Sequence, residues 1–153
     1  MTFAIAWVSP YTADTRHGSG VEQEVVVEFY SSALTRAAHL PFSEAVRVGD
    51  MIYLSGQVGN LHGKLELAPG GIEAETHQMM ENIQRALAPL GRSLDDVFRC
   101  SVMLRDMAQW GTFNQAYVKY FTPDRLPVRT AFGVADLVLG AVVEMECWAT
   151  AAQ

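Results

Sequence analysis

Hydrophobic and polar positions change period several times along the chain. The β-branched run EVVVEFY, Glu24 to Tyr30, reads as a strand. Two more apolar runs, about 44–48 and 51–58, meet at Gly49-Asp50, and such a pair between apolar runs predicts a hairpin. From Ile72 the period becomes helical: Ile72, Thr76, Met79, Met80, Ile83, Leu87 and Leu90 share a face, while Glu73, Glu75, Glu81 and Arg85 fall elsewhere. Gly91 is placed to close that helix. The segment DDVFRCSVMLRD then alternates as a strand, with Phe98, Cys100, Val102 and Leu104 on one side and Arg99, Ser101 and Met103 on the other. Asp106 can cap a second helix, whose Trp110, Phe113, Tyr117 and Phe121 form an aromatic stripe that predicts core. Pro123 and Pro127 end it, and two last strands follow at about 128–135 and 141–149.

The resulting order, β-β-β-α-β-α-β-β, predicts an α+β domain with two helices packed on one face of the sheet. The domain is expected over residues 24–153, behind an N-terminal appendage, 1–23, whose polar stretch YTADTRHGSGVEQ reads as a loop. The apolar start MTFAIAWV lacks a basic flank and is shorter than the roughly 20 residues a spanning helix needs. It is expected as a packed strand or a frayed arm, with neither a membrane span nor an export signal.

Alternation also assigns faces. Ile52, Leu54, Phe98, Cys100, Val102, Phe132, Val134, Met145 and Cys147 suit the side beneath the helices. Tyr53, Ser55, Gln57, Arg99, Ser101, Arg129, Ala131, Glu144, Glu146 and Trp148 are then expected on the opposite side. A face mixing aromatics with opposite charges fits neither open water nor a dry core, and a second copy of the chain is the expected cover. Read alone, Arg129 and Glu144 on adjacent strands make a structural ion pair, although an arginine fork can equally clamp a carboxylate.

Composition narrows the chemistry. The 153 residues carry a net charge of −6, which argues against nucleic acid or an anionic membrane as partner. Cys100 and Cys147 lack the spacing of a zinc or redox motif and are expected as buried free thiols in a reducing cytosol. His17, His39, His62 and His77 share no ligand spacing, so surface histidines and no metal are expected. Ser55 lies outside any nucleophile elbow and is expected as a hydrogen-bond donor. APGGIEAE matches neither dinucleotide nor nucleotide phosphate loops and reads as a loop and helix start.

The segments PFSEAVRVGDMIYLSGQVG, RSLDDVFRCSVMLRDMAQWGTFNQAYVKYF, LPVRTAFGV and VVEMECWA, from about Phe29 to Ala149, together resemble the reactive intermediate deaminase family, also called RidA or YjgF-like. The resemblance implies a chorismate-mutase-like (ferredoxin-like) α+β fold, assembled as a homotrimer with a cleft at each subunit interface. It implies that Arg129, in the P-x-R-[ST] segment, holds the carboxylate of a 2-imino acid, and that Glu144 stands near the hydrolytic water. Ser55 of the S-G-Q segment borders the pocket. Phe42 and Ala131 stand where the family's archetypes often have Tyr and Cys, so a phenol and a thiol are absent from the expected substrate contacts.

The implied enzyme is a cytoplasmic, cofactor-free hydrolase acting on C–N bonds, which converts reactive imines and enamines to 2-keto acids and ammonia. Such substrates already react with water, and orientation is the main task left to the protein. The rival expectation is a non-catalytic trimeric module binding small carboxylates or a protein partner. Nuclease activity, attached to some relatives, has no recognisable constellation in the chain.

Overall fold

A computed structural model describes residues 25–152; the expectations for the appendage 1–23 and for MTFAIAWV lie outside them. Seven strands, β1 (Val27–Tyr30), β2 (Ala45–Val48), β3 (Met51–Leu54), β4 (Gln57–Val58), β5 (Val97–Leu104), β6 (Val128–Gly133) and β7 (Val143–Thr150), form one mixed sheet. Their order is β1-β2-β3-β7-β5-β6, with β4 also paired to β7. The helices are α1 (Ala33–Ala37), α2 (Gly71–Leu87) and α3 (Trp110–Tyr117). The expected hairpin is present, with Val48 opposite Met51 across Gly49, whose φ of 56° suits glycine. The pattern missed α1, which Ser32 caps by accepting from Thr35 N at 3.2 Å, and ran β3 and β4 together.

Helix α2 buries the expected stripe of Ile72, Thr76, Met79, Met80, Ile83 and Leu87 against the sheet. Thr76, apolar in its surroundings, is satisfied by donating to Ile72 O at 2.6 Å. A short 3₁₀ turn over 88–90 follows, and Gly91 ends it in the left-handed region at φ 67°. Asp106 Oδ1 accepts from Ala108 N at 2.9 Å, starting the turn that runs into α3. Because β5 and β6 are parallel, the chain between them must cross over, and α3 is that crossover. None of the helices described is long and apolar enough to cross a membrane.

Several expected placements are corrected. A register shift between Val97 and Arg99 turns Phe98 outward and puts Val97 into the core instead. In β6 the alternation is inverted: Arg129 pairs with Cys100 and Ala131 with Val102, so both lie on the helix side, while Phe132 is exposed and Val134 falls beyond the strand. Hydropathy could not choose here, since each side of β6 carries an apolar residue. Trp110 is exposed, unlike Phe113, Tyr117 and Phe121 of the same stripe. His77 is half-buried and bonded through Nδ1 to Tyr120 Oη at 2.9 Å rather than being a surface side chain.

The cysteines are not free. Cys100 and Cys147 are directly opposite each other on β5 and β7, their Cα atoms 4.2 Å apart, and form a disulfide inside the core. Sequence spacing carries no trace of that register. Glu75, expected on the polar side of α2, is likewise buried. Its Oε2 accepts from Val142 N at 2.9 Å, tying α2 to the segment that enters β7. Burial pushes its carboxyl above the ordinary range, while the Val142 amide and the Arg105 guanidinium pull the other way. Gly59 makes the neighbouring approach: a Cβ there would lie 2.6 Å from Glu75 Cα.

Candidate functional site

Where β3 ends and β4 begins, the sheet breaks for Ser55 and Gly56, and a cleft of about 660 Å³ opens between the segment entering β2, β4, α1, α2 and the start of β7. Phe42, Ser55 and Glu144, three of the residues expected at the site, line it together. Ser55 is fixed by donating from Oγ to Ser43 O at 2.6 Å, the donor role expected of it. Asn82 of α2 donates to Val58 O and Asn60 O, at 3.0 and 2.8 Å, and holds the far side of the break against the helix.

Glu144 points away from the helices, in keeping with the alternation of β7. Its carboxyl rests on the Gly56 backbone so closely that a Cβ at Gly56 would collide with it. Burial raises its pKa, and the charge of Glu146, two residues on along the same face, raises it further. A carboxylate with raised affinity for protons, in a cleft, can accept a proton from water or return one to a leaving amine.

Arg129 is elsewhere. It opens into a second, smaller cavity of about 340 Å³ beside Asn114, Tyr117, Val118, Leu126 and Pro127. Nη2 donates to Asn114 Oδ1 at 2.7 Å, and Cζ sits 4.7 Å from the Tyr117 ring centroid and 5.2 Å from that of Phe113. One edge of the guanidinium is thus anchored and one face stacked, which orients the remaining N–H groups without neutralising the charge. Ion pairs among the described residues do not include it. Tyr117 Oη is buried next to it without a hydrogen-bond partner, and burial raises the phenol's pKa.

The expected intrachain pair is therefore corrected: β5 separates Arg129 on β6 from Glu144 on β7, and the two side chains leave opposite sides of the sheet. Ala131 follows Arg129 to the helix side, away from the cleft that holds Phe42 and Ser55. The open face keeps Tyr53, Arg99, Glu144, Glu146 and Trp148. Tyr53 meets Trp148 edge-on with centroids 5.1 Å apart, and Arg99 Cζ lies 4.2 Å over the Trp148 ring.

Sequence reasoning missed Glu44, Asn82 and Asn114. Glu44 lies inside the PFSEA segment and accepts from Ser32 N at 2.7 Å and Ser32 Oγ at 2.8 Å, so it shapes the cleft wall. Asn114 could have been found as the polar residue next to the aromatic stripe of α3, but its partner, Arg129, comes from β6 and is brought to it only by the docked helix.

The family described as Endoribonuclease L-PSP matches residues 32–151. The chain is 38% identical to 2-iminobutanoate/2-iminopropanoate deaminase of Mus musculus over 80% of its own length and 90% of that protein. It is 33% identical to Reactive Intermediate Deaminase A, chloroplastic, of Arabidopsis thaliana, over 92% of its length and 73% of the relative's. Among solved structures, RidA from the Antarctic bacterium Psychrobacter sp. PAMC 21119 superposes with a TM-score of 0.70 at 32% identity, covering 84% of this chain and 98% of that one. The Rid-family protein YyfA from Yersinia pestis superposes at 0.75 with 26% identity, over 82% and 99%.

Proposed function

The chain belongs to the reactive intermediate deaminase (RidA, YjgF-like) family, and from that premise we propose that it hydrolyses reactive 2-imino and enamino acids to 2-keto acids and ammonia. In this reading water adds to the imine carbon, and the resulting carbinolamine expels ammonia to leave the keto group. Arg129 holds the substrate carboxylate. Glu144 takes the proton from the attacking water and returns it to nitrogen. Ser55 and Phe42 border the reacting atoms, and Ala131 lies beside the clamp.

The observation that carries the reading is the state of Arg129: fixed by Asn114, stacked on Phe113 and Tyr117, and facing a cavity with no carboxylate of its own chain paired to it among the described residues. Burying part of a guanidinium in that condition is costly unless an anion completes it. Since Glu144 opens into a different cavity, the reading requires a closed homotrimer of chorismate-mutase-like arrangement, in which Arg129 of one subunit meets the Glu144 cleft of the next. The aromatic and charged face around Trp148, Tyr53 and Arg99 supports such an assembly.

The test couples an amino-acid oxidase, which generates imines, to semicarbazide trapping. Wild type lowers the trapping rate, and Arg129→Ala and Glu144→Gln each lose that effect. Refolding the two variants together restores a fraction of it, because a mixed ring contains interfaces with one intact Arg129 and one intact Glu144. No restoration would overturn the shared site. Equal trapping with and without wild-type protein would overturn the enzyme and leave the rival binding module, which uses the same arginine without turnover. The nuclease in the family's description gains no support from this chain, whose net charge of −6 opposes phosphate backbones.

A further inference from the structure

The turn that leads into β7 holds Leu139 in the left-handed region, at φ 61°. Leucine is a poor choice for that backbone, where glycine or asparagine fits without steric cost. The turn is nevertheless rigidly built. Gly140 N donates to Leu137 O at 3.0 Å and Ala141 N to Val138 O at 3.1 Å. Arg105 Nη1 grips Gly140 O at 2.9 Å, and Glu75 grips Val142 N. None of these bonds uses the Leu139 side chain. Nor does the core: Leu139 is 44% exposed and Val138 60%.

Both side chains line the cleft that holds Glu144, as do Phe42 and Leu65, each 48% exposed. The cleft also holds two carboxylates, Glu44 and Glu144, while its guanidinium, Arg85, is already engaged by Glu81 and Asn82, so the substrate's own carboxylate is left to the arginine clamp. With the anionic end held at Arg129 of the partner subunit and the reacting carbon at Glu144, the part of the substrate left to occupy the apolar wall is its side chain.

We propose that the Val138–Leu139 turn, with Phe42 and Leu65, is the specificity wall of this enzyme, and that it selects 2-imino acids with bulky apolar side chains, branched aliphatic or aromatic, over 2-iminopropanoate. The proposal rests on the deaminase reading of the same cleft. Leucine is kept at a position that suits glycine because its side chain packs on the substrate, a contact made only in the occupied site.

The experiment measures suppression of semicarbazide trapping with imines generated in turn from leucine, phenylalanine and alanine. Wild type is expected to favour the first two in kcat/KM by about tenfold or more, the discrimination that one or two methylenes provide in an apolar pocket. Leu139→Gly removes the side chain while easing the backbone, so its thermal midpoint should hold or rise. Its preference ratio should nonetheless fall about tenfold, and Phe42→Ala should lower the ratio independently. Light scattering of each variant accompanies the kinetics. Failure to suppress trapping of any of the three imines would sink the deaminase reading itself. Suppression with the alanine imine equal to or better than the leucine imine would overturn only the wall. So would a ratio unmoved by Leu139→Gly, or a change that tracks loss of assembly rather than side-chain size.

Discussion

Arg129 and Glu144 leave opposite sides of one sheet, and their surroundings differ in kind. Around the arginine everything is immobilising: an amide at 2.7 Å holds one edge and two aromatic rings support the face. The glutamate is arranged for adjustability. Its carboxyl lies over a bare glycine backbone, with burial and a second carboxylate both favouring the proton. A clamp needs fixed geometry and a permanent charge, whereas a group that moves protons needs a pKa brought toward the working pH. In the proposed function, this contrast is what gives binding to one place and proton transfer to the other.

The sharpest way to break this contrast is Glu144→Gln. Loss of a general base is expected to lower kcat by about 10²–10⁴-fold with little change in KM. A matching rise in KM would make Glu144 part of the clamp. Arg129→Ala should come next, with kcat/KM down about ten- to a hundredfold, the value of a charge-assisted hydrogen bond to a carboxylate, and most of it in KM. An Arg129→Lys variant should recover only part, since a point charge cannot reproduce the fork.

Glu146→Gln is a smaller and more selective change. Glu146 raises the pKa of Glu144, so removing its charge should move the acid limb of the kcat/KM profile to lower pH and raise activity on the acid side. A limb that stays in place would show that Glu144 is not the titrating group. The smallest expected effect is on stability, through Glu75. Its folded-state pKa lies above the unfolded value of about 4.3, so the folded form binds the extra proton and stability is lost as pH rises through that window. Glu75→Gln has no charge to bury and should melt higher than wild type by about 2–4 °C at neutral pH, with the gap closing toward pH 4 or so. A gap that widens on acidification would reverse the assignment.

Much of this architecture was legible because it is local. The Gly49-Asp50 hairpin, the buried stripe of α2, the cap at Asp106 and the alternation of β7 all follow from neighbours within a few residues. The S-G-Q segment likewise located a wall of the cleft, and P-x-R-[ST] supplied the arginine proposed as the clamp. The errors within the sheet share one cause. Which way β6 faces, where β5 bulges, and what lies opposite Cys147 depend on which strand pairs with which, and in what register.

The sequence by itself determined most of the elements and the family, and named the side chains proposed to react, because periodicity and motifs are properties of consecutive residues. Only the tertiary structure decided that Cys100 and Cys147 bond, that Glu75 is buried, and that Arg129 and Glu144 stand apart on one chain. A side chain's face is set by parity along its strand plus the register of its partner. The second of these is a long-range choice, made when the β5-α3-β6 crossover docks against the sheet.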